Sequence, residues 1–289
     1  MHLPPILYKY TSASTALIVL GTGKLRWSSP RLFNDPAEFQ RLPRFEPTLK
    51  EALAALPKAI VGTAVGESGI DAGRLNGLAR QMYDLVKFAL SQGMKAEDFL
   101  KKMEDQPADP DTAYVEMLRN YFGENFVNQA RVMCLTANHS NSAMWANYAE
   151  QHAGCLLGFR HLQEHDTPFS EVRAVDYYKE PPVVCSGLDF LLYGDTKQIR
   201  EATIDAVCFA KKADWKYEEE WRVVTWRSNE GTSLFGDYPF VPGELESVTF
   251  GIKATEETKR KVLDLVARYP NCNLYQIEHK HGELHRCEI

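Results

Sequence analysis

The residues best able to do chemistry fall in two acidic boxes far apart in the chain. The first is NDPAE, in which Asp35 and Glu38 stand one helical turn apart behind Asn34. The second, KADWKYEEEWRVV over residues 212–224, combines Trp215, Tyr217, Glu218, Glu219, Glu220, Trp221 and Arg222. From Glu220 onward the pattern has a period of two. A strand there places Glu220, Arg222, Val224 and Trp226 on one face, and Trp221, Val223 and Thr225 on the other. An arginine two residues from a glutamate has two uses: it ties a strand edge in register, or it holds the carboxylate ionised at a cleft, as a catalytic acid is held. Glu220 is the first candidate for such an acid and Glu218 the second.

Other reactive side chains are less well placed. His152 follows Trp145 and Tyr148 on neighbouring helical turns, where it serves either as a general base or as a favourable charge at a helix end. His279, His281, His285 and Cys287 are metal-ligand types, but they alternate with charged residues around Gly282, the pattern of a solvated hairpin. No metal ligand is assigned to them. The chain has no G-x-x-x-x-G-K-[ST], no G-x-G-x-x-G after a strand and no G-x-S-x-G, so any nucleotide site must be built another way.

Composition bounds the class. With 289 residues, 44% hydrophobic and 25% charged, the chain can bury one large core, with or without an insertion. A net charge of −6 argues against an extended nucleic-acid footprint and leaves room for a local basic cleft. No apolar run reaches the ~18 residues that span a bilayer, and MHLPPILYKY lacks the features of a signal peptide, so a cytoplasmic protein with no membrane partner is expected. The six cysteines form no C-x-x-C pair, which suits free thiols.

The elements that must carry the two boxes read as follows. ILYKYTS is a strand, capped by Thr11 or Ser12 into a helix over 13–20 that Gly21 and Gly23 end. KLRWSS is a second strand, and NDP a turn leading into a helical piece near Pro36. Residues 47–131 carry apolar side chains at helical spacing and read as a helical insertion, broken at GTAVGESG and QPADPD. RVMCLT is a strand, ANHSN a polar break, SAMWANYAEQH a helix stopped by Gly154, and CLLGF a buried strand. EVRAVDYY is a further strand, followed by a helix over 188–211 with an interruption at Gly194. Beyond the acidic stretch lie a loop containing Gly231, the strand ESVTFGI, a helix over 256–269 and a terminal hairpin. Short strands interleaved with helices make an α+β fold, a single domain over 1–289 with the insertion inside it.

Several of these boxes together resemble a known family. LYKYTS with KLRWSSPRLFNDPAE, then a helical segment, then MCLT, MWANYAEQHAGCLLGF, WKYEEEWRVV and VTFGI resemble the bacterial and phage domain-of-unknown-function family 2971 over nearly the whole chain. The layout, an aromatic first strand ending in Thr-Ser, a second strand with paired serines and a late strand opening on glutamate, is similar to the split-sheet ADP-ribosyltransferase fold, with a mixed or antiparallel sheet. That resemblance implies NAD as substrate and an acceptor that is protein, nucleic acid or small molecule, while the resemblance to family 2971 implies a role as toxin or phage-defence effector. It implies Tyr8 or Tyr10 in the NAD cleft, Tyr148 or Trp145 stacked on nicotinamide, and Ser28, Asn34, Asp35, Glu38 and His152 nearby. Glu220 would stabilise the ribosyl oxocarbenium, with Glu218 as the other candidate and Arg222 orienting the acid. The first strand offers tyrosines and Lys9 where many transferases carry His or Arg. Two other readings compete. Asp35, Glu38, Glu218 and Glu220 could hold magnesium for a nuclease or phosphodiesterase, or the two boxes could form a buried network that locks a non-catalytic binding module.

Overall fold

The computed structural model describes residues 3–40, 42–103, 110–121, 124–227 and 233–289. Contacts divide the chain into two units, one of residues 1–38, 124–179 and 209–289, the other of residues 39–123 and 180–208. The second unit therefore adds residues 39–46 and 180–208 to the segment read as a helical insertion and leaves that segment's last residues, 124–131, in the first unit. Most of the QPADPD break and all of Gly231 lie outside the described residues.

In the first unit, local signals set the early elements. Strand Leu7–Thr11 leads to Ser12, whose side chain accepts from Thr15 N and caps helix Ala13–Thr22. Gly23, at φ 64°, closes that helix with its N–H on Val19 O and releases the chain into strand Lys24–Ser28. The NDP box gives a turn and not the expected helical piece. Asp35 Oδ1 accepts Ala37 N at 3.0 Å and Glu38 N donates to Asp35 O at 3.1 Å, so the backbone is closed locally and no helix propagates.

These strands join a mixed sheet, ten-stranded among the described residues, organised around strand Ala130–Thr136. Along one edge of that strand runs the whole of Glu220–Trp226, with Glu220 opposite Thr136 and Trp226 opposite Ala130. The other edge is shared: Tyr8 faces Thr136, while Ser28 faces Val132. The first and second strands part between these two points, which opens a split in the sheet. Beyond Leu7–Thr11 the sheet continues through Cys155–Phe159 and Leu245–Phe250 to the parallel strand Asn273–Lys280 and the hairpin strand Glu283–Glu288. That hairpin carries His279, His281 and His285, as expected of a solvated turn, with His281 and Gly282 both at positive φ.

Two apolar clusters cover the two faces. Leu7, Leu135, Leu157, Trp221 and Val223 pack with helices Ala13–Thr22 and Glu256–Val266, through Leu20 and Val262 among others. Tyr8, Tyr10, Leu156 and Ile277 pack on the opposite face against Met144 and Trp145 of helix Ser142–Tyr148. The period-two pattern of the acidic stretch is thereby explained: Trp221 and Val223 enter the first cluster, and Glu220 and Arg222 face the other way. Burying a side chain the size of Trp221 contributes on the order of 2 kcal/mol, enough to hold the strand in this register.

Two expected elements end differently. The helix over 188–211 forms as Gly187–Tyr193 and Lys197–Cys208, separated at Gly194. The residues after it, Ala210–Lys212, are a strand parallel to Asp176–Tyr178, with Tyr177 opposite Lys211. EVRAVDYY is likewise two strands: Arg173–Ala174 pairs with Glu220–Trp226, and Asp176–Tyr178 turns away to pair with Ala210–Lys212.

The second unit is mainly helical. Thr48 and Glu51 form a capping box at the start of helix Leu49–Val65, and the Asp111 carboxylate accepts Leu49 N at 2.9 Å and Lys50 N at 3.1 Å, placing negative charge at the helix N-terminus. Leu56, Ile60 and Val61 of that helix pack with Ala79 and Val86 of helix Gly77–Ser91 and with Leu192. Among the described residues no helix is long and apolar enough to cross a membrane.

Candidate functional site

Charged side chains that belong at the surface of most proteins are here gathered in the interior of the first unit. Glu38, Glu218, Glu220, Lys211 and Arg222 are all buried, Arg222 completely, at 0% exposure. Lys211 Nζ lies 2.5 Å from Glu218 Oε2, 2.9 Å from Glu220 Oε2 and 3.6 Å from Glu38 Oε2. Arg222 Nε donates to Glu220 Oε1 at 2.6 Å and Nη2 donates to Glu220 Oε2 at 2.8 Å, a bidentate pair. The same Nη2 donates to Glu38 Oε1. The remaining oxygen of Glu218, Oε1, accepts from Tyr148 Oη at 2.6 Å, and Asn34 Nδ2 donates to that hydroxyl at 3.2 Å.

Each member is delivered by a local feature of the fold. Glu220 and Arg222 come from the polar face of strand Glu220–Trp226. Glu218 ends the short 3-10 turn Ala213–Glu218, and Glu219, at φ 44°, takes the left-handed conformation that turns the chain between the two glutamates. Lys211 is placed by the parallel pairing of Ala210–Lys212, and Glu38 by the turn after Asp35. Glu220 N donates to Tyr177 Oη at 2.8 Å, which ties the head of the strand to the neighbouring pair.

The network floors a pocket of about 350 Å³ located at the split between strands Leu7–Thr11 and Lys24–Ser28. Lys9 bridges that split, donating from Nζ to the Cys134 carbonyl at 2.8 Å. The backbone acceptor left without a neighbouring strand is thus satisfied by a side chain. Among the described residues Lys9 has no carboxylate partner. Phe33, Tyr148 and Trp215, all half-buried, line the walls, and Lys211 Nζ sits 5.1 Å from the centroid of the Trp215 ring.

Burial and charge act against each other here. Burial alone would lower the Lys211 pKa, but Glu220 and Glu218 outweigh it and raise it well above the ordinary lysine value. Burial raises the Glu220 pKa, opposed by Lys211. Burial also pulls Arg222 downward, while the two carboxylates it touches keep the guanidinium protonated. Tyr148 is raised by burial and by its bond to Glu218, so it is a hydrogen-bond donor and not a ready acid. Burial, followed by the Glu220 charge, raises the Cys134 thiol, which makes it a poor nucleophile.

Most residues singled out from the sequence converge on this pocket. Tyr8, Tyr10, Ser28, Asn34, Asp35, Glu38, Tyr148, Glu218 and Glu220 line it, and Arg222 lies beneath. Trp145 does not line it. Its ring is fully buried edge-on to Tyr10 at 5.2 Å and its Nε1 donates to His139 O at 3.1 Å, so it presents no face to a ligand. His152 is also outside the lining. It lies at φ 73° beyond the end of the helix, in a left-handed turn whose carbonyl accepts Lys253 N. A divalent-cation reading of Asp35, Glu38, Glu218 and Glu220 meets a physical obstacle, because Lys211 Nζ occupies the position between the three glutamates that an ion would need. Among the described residues no group of three His, Cys, Asp or Glu is placed to hold a metal.

Among the residues of the site not singled out from the sequence are Lys9, Phe33, Lys211 and Trp215. Trp215 stood inside the acidic stretch and its WxYE spacing to Glu218 was a usable signal. Lys211 had none, because AVCFAKK continues a helical pattern until the parallel pairing is known.

Residues 144–223 match the family described as "Protein of unknown function (DUF2971)". The match takes in the MWANYAEQHAGCLLGF box and WKYEEEWRVV up to Val223, which bears out the family resemblance there; LYKYTS, KLRWSSPRLFNDPAE, MCLT and VTFGI lie outside it. No curated protein and no solved structure matches the chain.

Proposed function

We propose that the pocket at the strand split binds NAD and that this chain, whose residues 144–223 match the DUF2971 family, is an ADP-ribosyltransferase-like enzyme. One observation carries the reading. Glu218 and Glu220 lie together on the floor of a polar and aromatic pocket, in a network whose three carboxylates outnumber its two cations by one. Buried ion networks are a costly way to stabilise a fold, since apolar packing of similar volume does as well or better. Their location in a pocket is what makes them candidates for chemistry.

The proposed reaction breaks the bond between nicotinamide and ribose C1′. Nicotinamide leaves with the bonding electrons and the ribose becomes oxocarbenium-like until an acceptor nucleophile, or water, adds to C1′ and loses its proton. A fixed excess of negative charge in a water-poor wall favours that cationic ribose over the ground state. In this reading Glu218 is the acid's functional member, because among the described residues one of its oxygens is shared only with the pocket-lining Tyr148. Glu220 has both oxygens on Arg222 and serves as the fixed charge behind it. Lys9 offers a counter-charge to the pyrophosphate, and Trp215, Tyr148 and Phe33 offer faces for planar rings.

The test is nicotinamide release from NAD by the purified protein in EDTA, followed by chromatography. Wild type should release it, and Glu218→Gln, confirmed folded by circular dichroism, should be slower by about 100-fold or more. Equal rates in the two proteins, or no release with any protein, nucleic acid or water acceptor, would overturn the proposal.

A further inference from the structure

The polar break ANHSN, residues 137–141, joins the two partners of a 2.6 Å hydroxyl-to-carboxylate contact on the pocket wall, Tyr148 and Glu218. Asn141 Oδ1 accepts Met144 N at 3.1 Å and caps helix Ser142–Tyr148, the helix that ends on Tyr148. The Nδ2 of the same side chain donates to the Tyr217 carbonyl at 3.1 Å, immediately before Glu218. On the other side of Glu218, Ala137 N donates to Glu219 O at 3.3 Å, and Asn138 Nδ2 donates to Glu219 Oε1 at 2.9 Å. The segment is itself anchored: Tyr10 Oη donates to Asn138 O at 3.0 Å, and Trp145 Nε1 to His139 O. Glu218 is therefore gripped on both flanks by the loop that also starts the Tyr148 helix.

A hydroxyl-to-carboxylate contact of 2.6 Å, as between Tyr148 and Glu218, is at the short, charge-assisted end of the range, and a shift of either partner by a few tenths of an ångström turns it into an ordinary hydrogen bond. Capping alone does not require asparagine here, since Ser, Thr and Asp cap as well or nearly as well. What asparagine adds is an acceptor and a donor on one short, rigid amide. The acceptor fixes the helix and the donor fixes the turn.

We propose that Asn141 is a positioning residue for the Tyr148–Glu218 pair, setting donor and acceptor in register through one amide. Its functional meaning rests on the reading of this pocket as the ligand site. Its geometric content does not.

Asn141→Ser separates the two duties, because serine keeps the helix cap and drops the donor to Tyr217 O. The readout is the pH titration of the Tyr148 ¹³Cζ resonance in tyrosine-labelled protein without ligand, assigned with Tyr148→Phe. The charged and polar groups facing that hydroxyl are Glu218, Lys211 and Asn34. In wild type Tyr148 should titrate above the usual tyrosine range near ~10. In N141S its midpoint should fall by about one pH unit or more, with the thermal midpoint close to wild type. A Tyr148 titration in N141S equal to wild type would overturn the proposal and leave Asn141 as a cap only. If N141S does not fold, Asn141→Thr supplies the same test. A second arm measures NAD binding by calorimetry, where N141S should bind about tenfold more weakly. Should wild type not bind NAD while the Tyr148 shift is seen, the positioning role stands and the NAD reading alone fails.

Discussion

Removing the ammonium from the centre of the buried network gives the sharpest physical prediction. Lys211→Met keeps a side chain of similar length but takes the ammonium from all three glutamates, leaving Glu38 and Glu220 on Arg222 and Glu218 on the neutral Tyr148 hydroxyl. At the observed 2.5 to 3.6 Å separations and an effective dielectric of about 20, each lost attraction is worth roughly 5 kcal/mol before desolvation is counted. Burying the ammonium offsets much of this, and breaking a buried pair by removing one partner typically costs about 3–5 kcal/mol. For a chain of this size that corresponds to a midpoint lowered by on the order of 10 °C. The loss should also depend on pH. With Lys211 gone, one carboxyl holds a proton in the folded state and its pKa rises above the unfolded value. The folded state then binds more protons than the unfolded one, so stability falls as pH rises from about 5 toward that folded pKa. In wild type the raised Lys211 pKa has the opposite placement. Its contribution is fully present below the unfolded lysine value near ~10.4 and is lost only as pH rises through the folded one. Thermal melts of both proteins between pH 5.5 and 8.5 decide the matter. A deficit that widens with pH is expected, and a deficit under about 1 kcal/mol, or one that does not change with pH, would refute the ionised network.

Two further predictions test the frame around the site. Burial lowers the pKa of His139, and likewise of His152, so the folded state keeps them neutral. Below the unfolded value near ~6.5 the unfolded chain takes up the extra protons, and thermal midpoints should fall as pH drops from 7.5 to 5, less steeply in a His139→Gln, His152→Gln double variant. A side chain at Gly154 would run into the Thr11 carbonyl and the Ala149 backbone, whereas one at Gly21, inside a helix, meets nothing. Gly154→Ala should therefore destabilise by about 1–3 kcal/mol or more, while Gly21→Ala should stabilise by about 0.5–1 kcal/mol; urea melts that rank the two the other way would contradict the described packing.

How far the sequence leads can be judged residue by residue. The split of strand Glu220–Trp226 into an apolar and a charged face was legible because period two is a local property, and so were the Ser12 cap and the Gly23 stop; the Arg222–Glu38 bond between the EEEWR and NDPAE boxes belonged to only one of the competing readings. The mixed α+β architecture followed from the alternation of short strands and helices. Lys211 was not legible, since a parallel pairing with a segment more than thirty residues away decides whether AKK is helix or strand. Trp145 and Tyr148 were indistinguishable as stacking candidates. One turn apart on a helix, they differ only in which is turned into the core, and that depends on Tyr10 and the sheet. The extent of the second unit, which recruits residues 180–208 to the helices of 39–123, is equally a matter of long-range contact.

The central claim, that the pocket over the Glu218–Glu220 floor takes NAD, is most directly tested by calorimetric titration of NAD into the metal-free wild-type protein. Saturable binding in EDTA that is weakened about tenfold or more by Trp215→Ala and by Lys9→Met, with both variants confirmed folded by circular dichroism, is the predicted result. No heat and no thermal stabilisation at millimolar NAD, or binding that is indifferent to both substitutions, would contradict it.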